Sequence, residues 1–139
     1  MAQDKIFHLE IPADLRYLPV IGACLGAILE RTDAIPEPDI LRYNMELAVQ
    51  EACTNIVEHA YAGQEGRVLV QITLDTTPRR LTVDLRDTGK SFDPDQVAEP
   101  NLDDIQIRGY GLFLMKELMD EVNYNPGPKG NHWRLVKNL

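Results

Sequence analysis

Glu51, Asn55 and His59 stand four residues apart in QEACTNIVEHAY, residues 50–61. On a helix this spacing stacks a carboxylate, an amide and an imidazole into one ridge along the edge of the apolar stripe. Side chains in that position are neither fully solvated nor part of the core, so they border something. A second candidate is DLRDTGKSFDP, residues 84–94, where strand alternation ends at Asp87 and Gly89 follows two residues later. A carboxylate at a strand end can accept a hydrogen bond from an exocyclic amine, and a residue without Cβ lets the backbone approach a flat ligand. The third is RGYGLFLMKELMDEV, residues 108–122, a glycine-rich turn running into an amphipathic helix. The unpaired N–H groups and positive dipole end of such a helix start attract anions. Each segment alone has an ordinary structural reading as helix flank, Asp-Gly turn or flexible helix start.

The tripeptide Gly89-Lys90-Ser91 invites comparison with a Walker A loop. That motif requires a glycine five positions before Gly89, where this chain has Asp84, and a long helix after the serine. It is rejected. With only His8, His59 and His132 in the chain, no zinc-ligand spacing appears. His59 is assigned a structural role at the helix end. Trp133 and Tyr124 are read as core or edge packing.

The elements that must hold these residues follow from periodicity. IFHLEI (6–11) alternates as a strand, and Asp14 to Arg31 keeps helical spacing through Leu15, Leu18, Ile21, Leu25, Ile28 and Leu29. TDAIPEPD reads as a loop. Leu41 to Tyr61 is the clearest helix, with Gly63 as its stop. RVLVQITLD (67–75) and RLTVDLRD (80–87) form a hairpin, and Leu112, Met115, Leu118 and Met119 mark a last helix. EVNYN and HWRLVKNL are strands around PGPKG. This order implies an α+β two-layer sandwich, with helices on one face of a mixed, mostly antiparallel sheet.

The chain of 139 residues shows no repeat or flexible linker, and one domain over residues 1–139 is expected. A net charge of -8 argues against a direct nucleic-acid binder or a protein held on an anionic membrane. YLPVIGACLGAIL is too short to span a bilayer, and MAQDK does not open a secretory signal. Cys24 and Cys53 lie in apolar helical patterns and read as buried free thiols, which fits a reducing cytoplasm.

Together, EACTNIVEHAY, DTGKSFDP and GYGLFLMKELMDEV resemble the ATPase superfamily of DNA gyrase, heat-shock chaperones, sensor histidine kinases and mismatch-repair proteins, which share the Bergerat ATP-binding fold. Within it they are similar to the stand-alone anti-sigma-factor serine kinases of bacterial partner-switching systems. The likeness covers almost the whole chain. It implies that Asn55 holds Mg2+, that Glu51 polarises the attacking hydroxyl, and that Asp87 receives the adenine amino group with Gly89 giving the ring room. It also implies that Gly109 and Gly111 are the glycines at the lid hinge and the phosphate-facing helix start, that residues Asp93 to Arg108 form the lid, and that Arg108 reaches a phosphate. ATP and Mg2+ are the implied cofactors. The implied partner is a small anti-sigma-factor antagonist carrying the phosphoacceptor serine, and sequestration of a sigma factor and a homodimer are further expectations. The alternative is a nucleotide-gated binding module with little or no phosphoryl transfer. A histidine kinase catalytic half is disfavoured, because no dimerisation helices with a phosphoacceptor histidine are seen. Two positions depart from the family pattern: Ser91 replaces a second glycine found in broader members, and Asn131 follows Gly130 where relatives often have threonine.

Overall fold

The computed structural model describes residues 4–91 and 108–139. The described residues form a sheet of five strands in the order β1-β2-β3-β5-β4. These are β1 (Lys5–Pro12), β2 (Arg67–Thr76), β3 (Arg79–Asp87), β4 (Glu121–Asn125) and β5 (Asn131–Asn138). Helices α1 (Leu18–Glu30), α2 (Pro38–Asn55) and α3 (Arg108–Leu118) accompany them. Every strand pairing among the described residues is antiparallel, so the expected mixed, mostly antiparallel sheet is wholly antiparallel over them. Two helices separate β1 from β2, so the chain reverses three times and returns in the opposite sense. Helix α3 and β4 do the same between β3 and β5.

One face of the sheet supplies the core. Val68, Val70 and Ile72 of β2, Leu81, Val83 and Leu85 of β3, and Trp133 and Leu135 of β5 recur at every second residue and are all buried. Against them α1 sets Leu18, Ile21, Leu25, Ile28 and Leu29, and α2 sets Met45, Ala48, Val49, Ala52 and Cys53, at the spacing that makes one apolar stripe. Cys53 is buried, as expected, whereas Cys24 is half-buried, because it lies off the α1 stripe. Trp133 packs 4.6 Å from the Tyr124 ring, centroid to centroid.

Three element boundaries differ from the sequence expectation. The helix expected from Asp14 is first a 3-10 turn, Leu15–Tyr17, with the Asp14 side chain accepting the Arg16 N–H at 2.9 Å. Helix α2 begins at Pro38, inside the expected loop, because proline suits a first turn whose N–H groups have no helical partner. Its far end, Ile56–Ala60, is wound as a π turn, with the Tyr61 N–H donating to the Ile56 carbonyl at 3.0 Å.

On the opposite face of the sheet, Asp84 accepts from Arg134 Nε at 2.9 Å and shares a 2.6 Å hydrogen bond with His132 Nε2. This buried carboxylate fixes the register of β3 on β5. In that register Asp87 is directly opposite Asn131, and a slip of one residue would throw Asn131 to the other face.

Leu85 is fully buried at the centre of the sheet, so Leu85→Ala should cost about 2–5 kcal/mol of unfolding free energy. Urea denaturation followed by the fluorescence of Trp133 measures it, and a loss below about 1 kcal/mol would contradict this packing.

Candidate functional site

The site begins where β3 ends. Asp87 is buried at 4% exposure, and its Oδ1 accepts the Gly89 N–H and an Asn131 Nδ2–H, each at 2.9 Å. Its Oδ2 is also buried and has no hydrogen-bond partner among the described residues. Burial pushes the Asp87 carboxyl above its ordinary range, and the bonds from Asn131 and Gly89 pull it back. A buried carboxylate oxygen without a donor is costly, so this atom is a ready acceptor for an N–H brought by a ligand.

The residues after Asp87 are clamped to the end of α2. The Thr88 N–H donates to Tyr61 Oη at 3.0 Å, while the Tyr61 hydroxyl donates to the Arg67 carbonyl at 2.7 Å. The Lys90 N–H donates to the Ala60 carbonyl at 2.7 Å. A Cβ on Gly89 would overlap that same Ala60 carbonyl. The glycine is therefore required by the approach of the loop to the helix end, a reason different from the ligand clearance read from sequence.

The second half of the site lies between α2 and α3. Glu51 is half-buried, and a Cβ on Gly111 would lie 2.8 Å from its Oε2. Its carboxylate thus rests against the first turns of α3, where a side chain at 111 would push it aside. Burial, and then the charge of Glu58, push the Glu51 carboxyl upward. Asn55 is the last α-wound residue of α2, and His59 falls in the π turn beyond it; all three ridge residues are half-buried. Arg108 and Gly109 are the first two residues of α3. The rest of the expected lid, residues 93–107, lies outside the described residues.

The first N–H groups of α3 have no partners within the helix and carry its positive dipole end, as an anionic ligand needs. Among the described residues no group of three or more His, Cys, Asp or Glu could hold a metal ion. A cation here would take one amide oxygen and fill its shell with phosphate and water, a set that magnesium accepts. A separate cavity of about 700 Å³, lined by Phe7, Cys24, Ile28, Leu74 and Arg79 among others, includes none of these residues.

Sequence reasoning did not include Asn131 or Tyr61 among the site residues. Asn131 is 2% exposed, and its Nδ2 also lies 3.1 Å from the Gly89 carbonyl and 3.2 Å from the Lys90 carbonyl. The signal for Asn131 was present, as an amide in place of the relatives' threonine. Tyr61 had none, because its partners Thr88 and Arg67 are distant or unremarkable in the chain.

Comparison with known proteins agrees with the fold. The histidine kinase-like ATPase domain profile matches residues 11–137. The serine-protein kinase RsbW of Bacillus velezensis is 31% identical, over 94% of this chain and 92% of that protein. The RsbW of Bacillus cereus is 32% identical, over 88% and 78%. Among solved structures, the RsbU and RsbW domains of Rv1364c from Mycobacterium tuberculosis superpose with a TM-score of 0.70 at 20% identity, over 97% of this chain and 32% of that one. The histidine kinase domain of the Erythrobacter litoralis EL346 blue-light activated histidine kinase gives 0.60 at 23% identity, over 93% and 62%. At those identities the superpositions speak for the fold alone. The profile match and the extent of the sequence likeness establish that the chain belongs to the histidine kinase-like ATPase family, alongside the RsbW serine-protein kinases.

Proposed function

We propose that this chain is an ATP-dependent protein serine/threonine kinase that acts as an anti-sigma regulatory factor. It phosphorylates a serine of a small antagonist protein and sequesters a sigma factor, working as one ATPase domain, as a homodimer, in the cytoplasm. Among the described residues no helix is long and apolar enough to cross a membrane. The observation that carries nucleotide binding is the unpartnered Asp87 Oδ2 at the end of a central strand.

Each residue has a separate task. Asp87 accepts the adenine amine, and Gly89 keeps the loop seated on α2 beside it. Asn55 holds Mg2+, which when bound neutralises phosphate charge. Arg108, Gly109 and Gly111 present the start of α3 to the phosphates. Glu51 takes the proton of the incoming serine hydroxyl, a task that typically contributes about 10²–10⁴-fold. Phosphoryl transfer depends mainly on positioning and charge neutralisation, which suits a site with few reactive groups. The raised pKa of Glu51 supports its assignment as the base, since proton transfer is most effective when that pKa lies near the working pH.

The decisive assay supplies γ-labelled ATP, Mg2+ and a candidate antagonist protein to the wild type and to Glu51→Gln. Label should reach the partner with the wild type and fall about 10²–10⁴-fold in the variant, with nucleotide affinity little changed. Nucleotide binding without transfer to any antagonist would make the chain a nucleotide-gated module instead. Transfer should decline as pH falls through the Glu51 pKa, with its acid limb above the ordinary carboxylate range; an acid limb within that range would count against Glu51 as base.

The same group has a stability signature. Its folded pKa is raised, so the native state binds more protons than the unfolded state across that interval, and stability falls as pH rises through it. Glu51→Gln should therefore raise Tm at pH 7, with the gain shrinking as the pH falls through the raised folded pKa and gone once it is below the ordinary carboxylate range. A lower Tm at pH 7 would show that the carboxylate is structural. Asp87→Asn should weaken ATP binding by about 10- to 100-fold in calorimetric titration, the effect of deleting a charge-assisted hydrogen bond. An unchanged affinity would remove Asp87 from the base site.

A further inference from the structure

The two positions at which this chain departs from its family pattern are bonded to each other. Ser91 Oγ donates to Asn131 Oδ1 at 2.5 Å, across 40 residues of sequence. The amide nitrogen of Asn131 meanwhile faces three acceptors: Asp87 Oδ1, the Gly89 carbonyl and the Lys90 carbonyl. A flipped amide would set its oxygen against all three, so these surroundings allow one orientation. The serine hydroxyl caps the oxygen end and completes the lock.

We propose that Asn131, locked by Ser91, is the positioning residue that makes the Asp87 site specific for a base with an exocyclic amine. The inference rests on the nucleotide-binding reading above and deepens it. Asn131 and the Gly89 N–H together occupy Asp87 Oδ1, so rotating the carboxylate would break two hydrogen bonds. The second oxygen is thereby held out as an acceptor with no donor of its own. Such an atom rewards an amine and repels a carbonyl, whose lone pairs would meet the carboxylate's own. The Asn131 and Gly89 donors also favour the ionised form of Asp87 against its burial.

A threonine at 131 would bring one hydroxyl proton, enough for Asp87 or for a loop carbonyl but not for both. Asparagine brings two, and so ties the carboxylate and the loop Thr88 to Ser91 with a single side chain. This accounts for serine at 91, because an amide with its nitrogen so committed needs a donor at its oxygen. The register explains how the pair meets: Asp87 and Asn131 face each other across β3 and β5, where side chains on the same face are within reach.

The test compares ATP with purine riboside triphosphate, which lacks only the amine, by calorimetric titration of the wild type, Asn131→Ala and Ser91→Ala. The wild type should prefer ATP. Asn131→Ala should weaken ATP binding about tenfold or more, while purine riboside triphosphate stays within about twofold. Ser91→Ala should narrow the preference in the same direction by a smaller factor, and it decides the question alone if Asn131→Ala does not fold. A wild-type preference that survives intact in the folded variants, or an equal loss for both nucleotides, overturns this inference and leaves the nucleotide reading standing. A wild type that binds neither nucleotide overturns both.

Discussion

A carboxylate buried at the end of a central strand is a liability unless its oxygens are satisfied, and Asp87 has only one that is. The surrounding structure follows from that imbalance. The register of β3 on β5, fixed from the far face by Asp84, puts Asn131 where it can donate to Oδ1. The loop that supplies the second donor is held on three sides, by Tyr61, by the Ala60 carbonyl and by Asn131. A polar group kept waiting by so many fixed neighbours is preorganised, so little ordering remains to be done when a ligand arrives.

The catalytic half is built by a different device. Glu51 and Gly111 are in contact where α3 packs against α2. Burial, and then the charge of Glu58, raise the carboxyl's pKa, and the contact with α3 brings it to the first turns of the helix whose start would face an anion. The cost in stability and the suitability as a base have one cause. The π turn after Asn55 joins the halves, since it presents the Ala60 carbonyl to the loop after Asp87 while continuing the helix that carries Glu51. π turns recur at functional sites for this kind of local re-aiming.

Much of this was legible in the residues. Alternation in β2 and β3 marked the hairpin, and the i, i+3, i+4 run in α2 put Glu51 and Asn55 on its edge, where they are indeed half-buried. The start of α2 was missed because its first turn carries Ile40 on the exposed side, outside the apolar stripe, although Pro38 was a usable signal. The π turn was not legible, since i, i+4 periodicity says nothing of how a helix end is rewound to meet a loop nearly thirty residues later. The need for glycine at 89 set by Ala60 was not legible either, because no local pattern connects the two residues. Asn131 was legible only as a departure from the relatives' threonine, and its value appears when Ser91 and Asp87 come together at the ends of β3 and β5.

The central claim is that Asp87 Oδ2 waits for an adenine amine, and a crystal structure of the protein with ADP and Mg2+ examines it most directly. The adenine N6 should lie about 2.7–3.2 Å from Oδ2 while Asn131 still donates to Oδ1. A base bound elsewhere, or an Oδ2 turned to a protein donor in that complex, would contradict it.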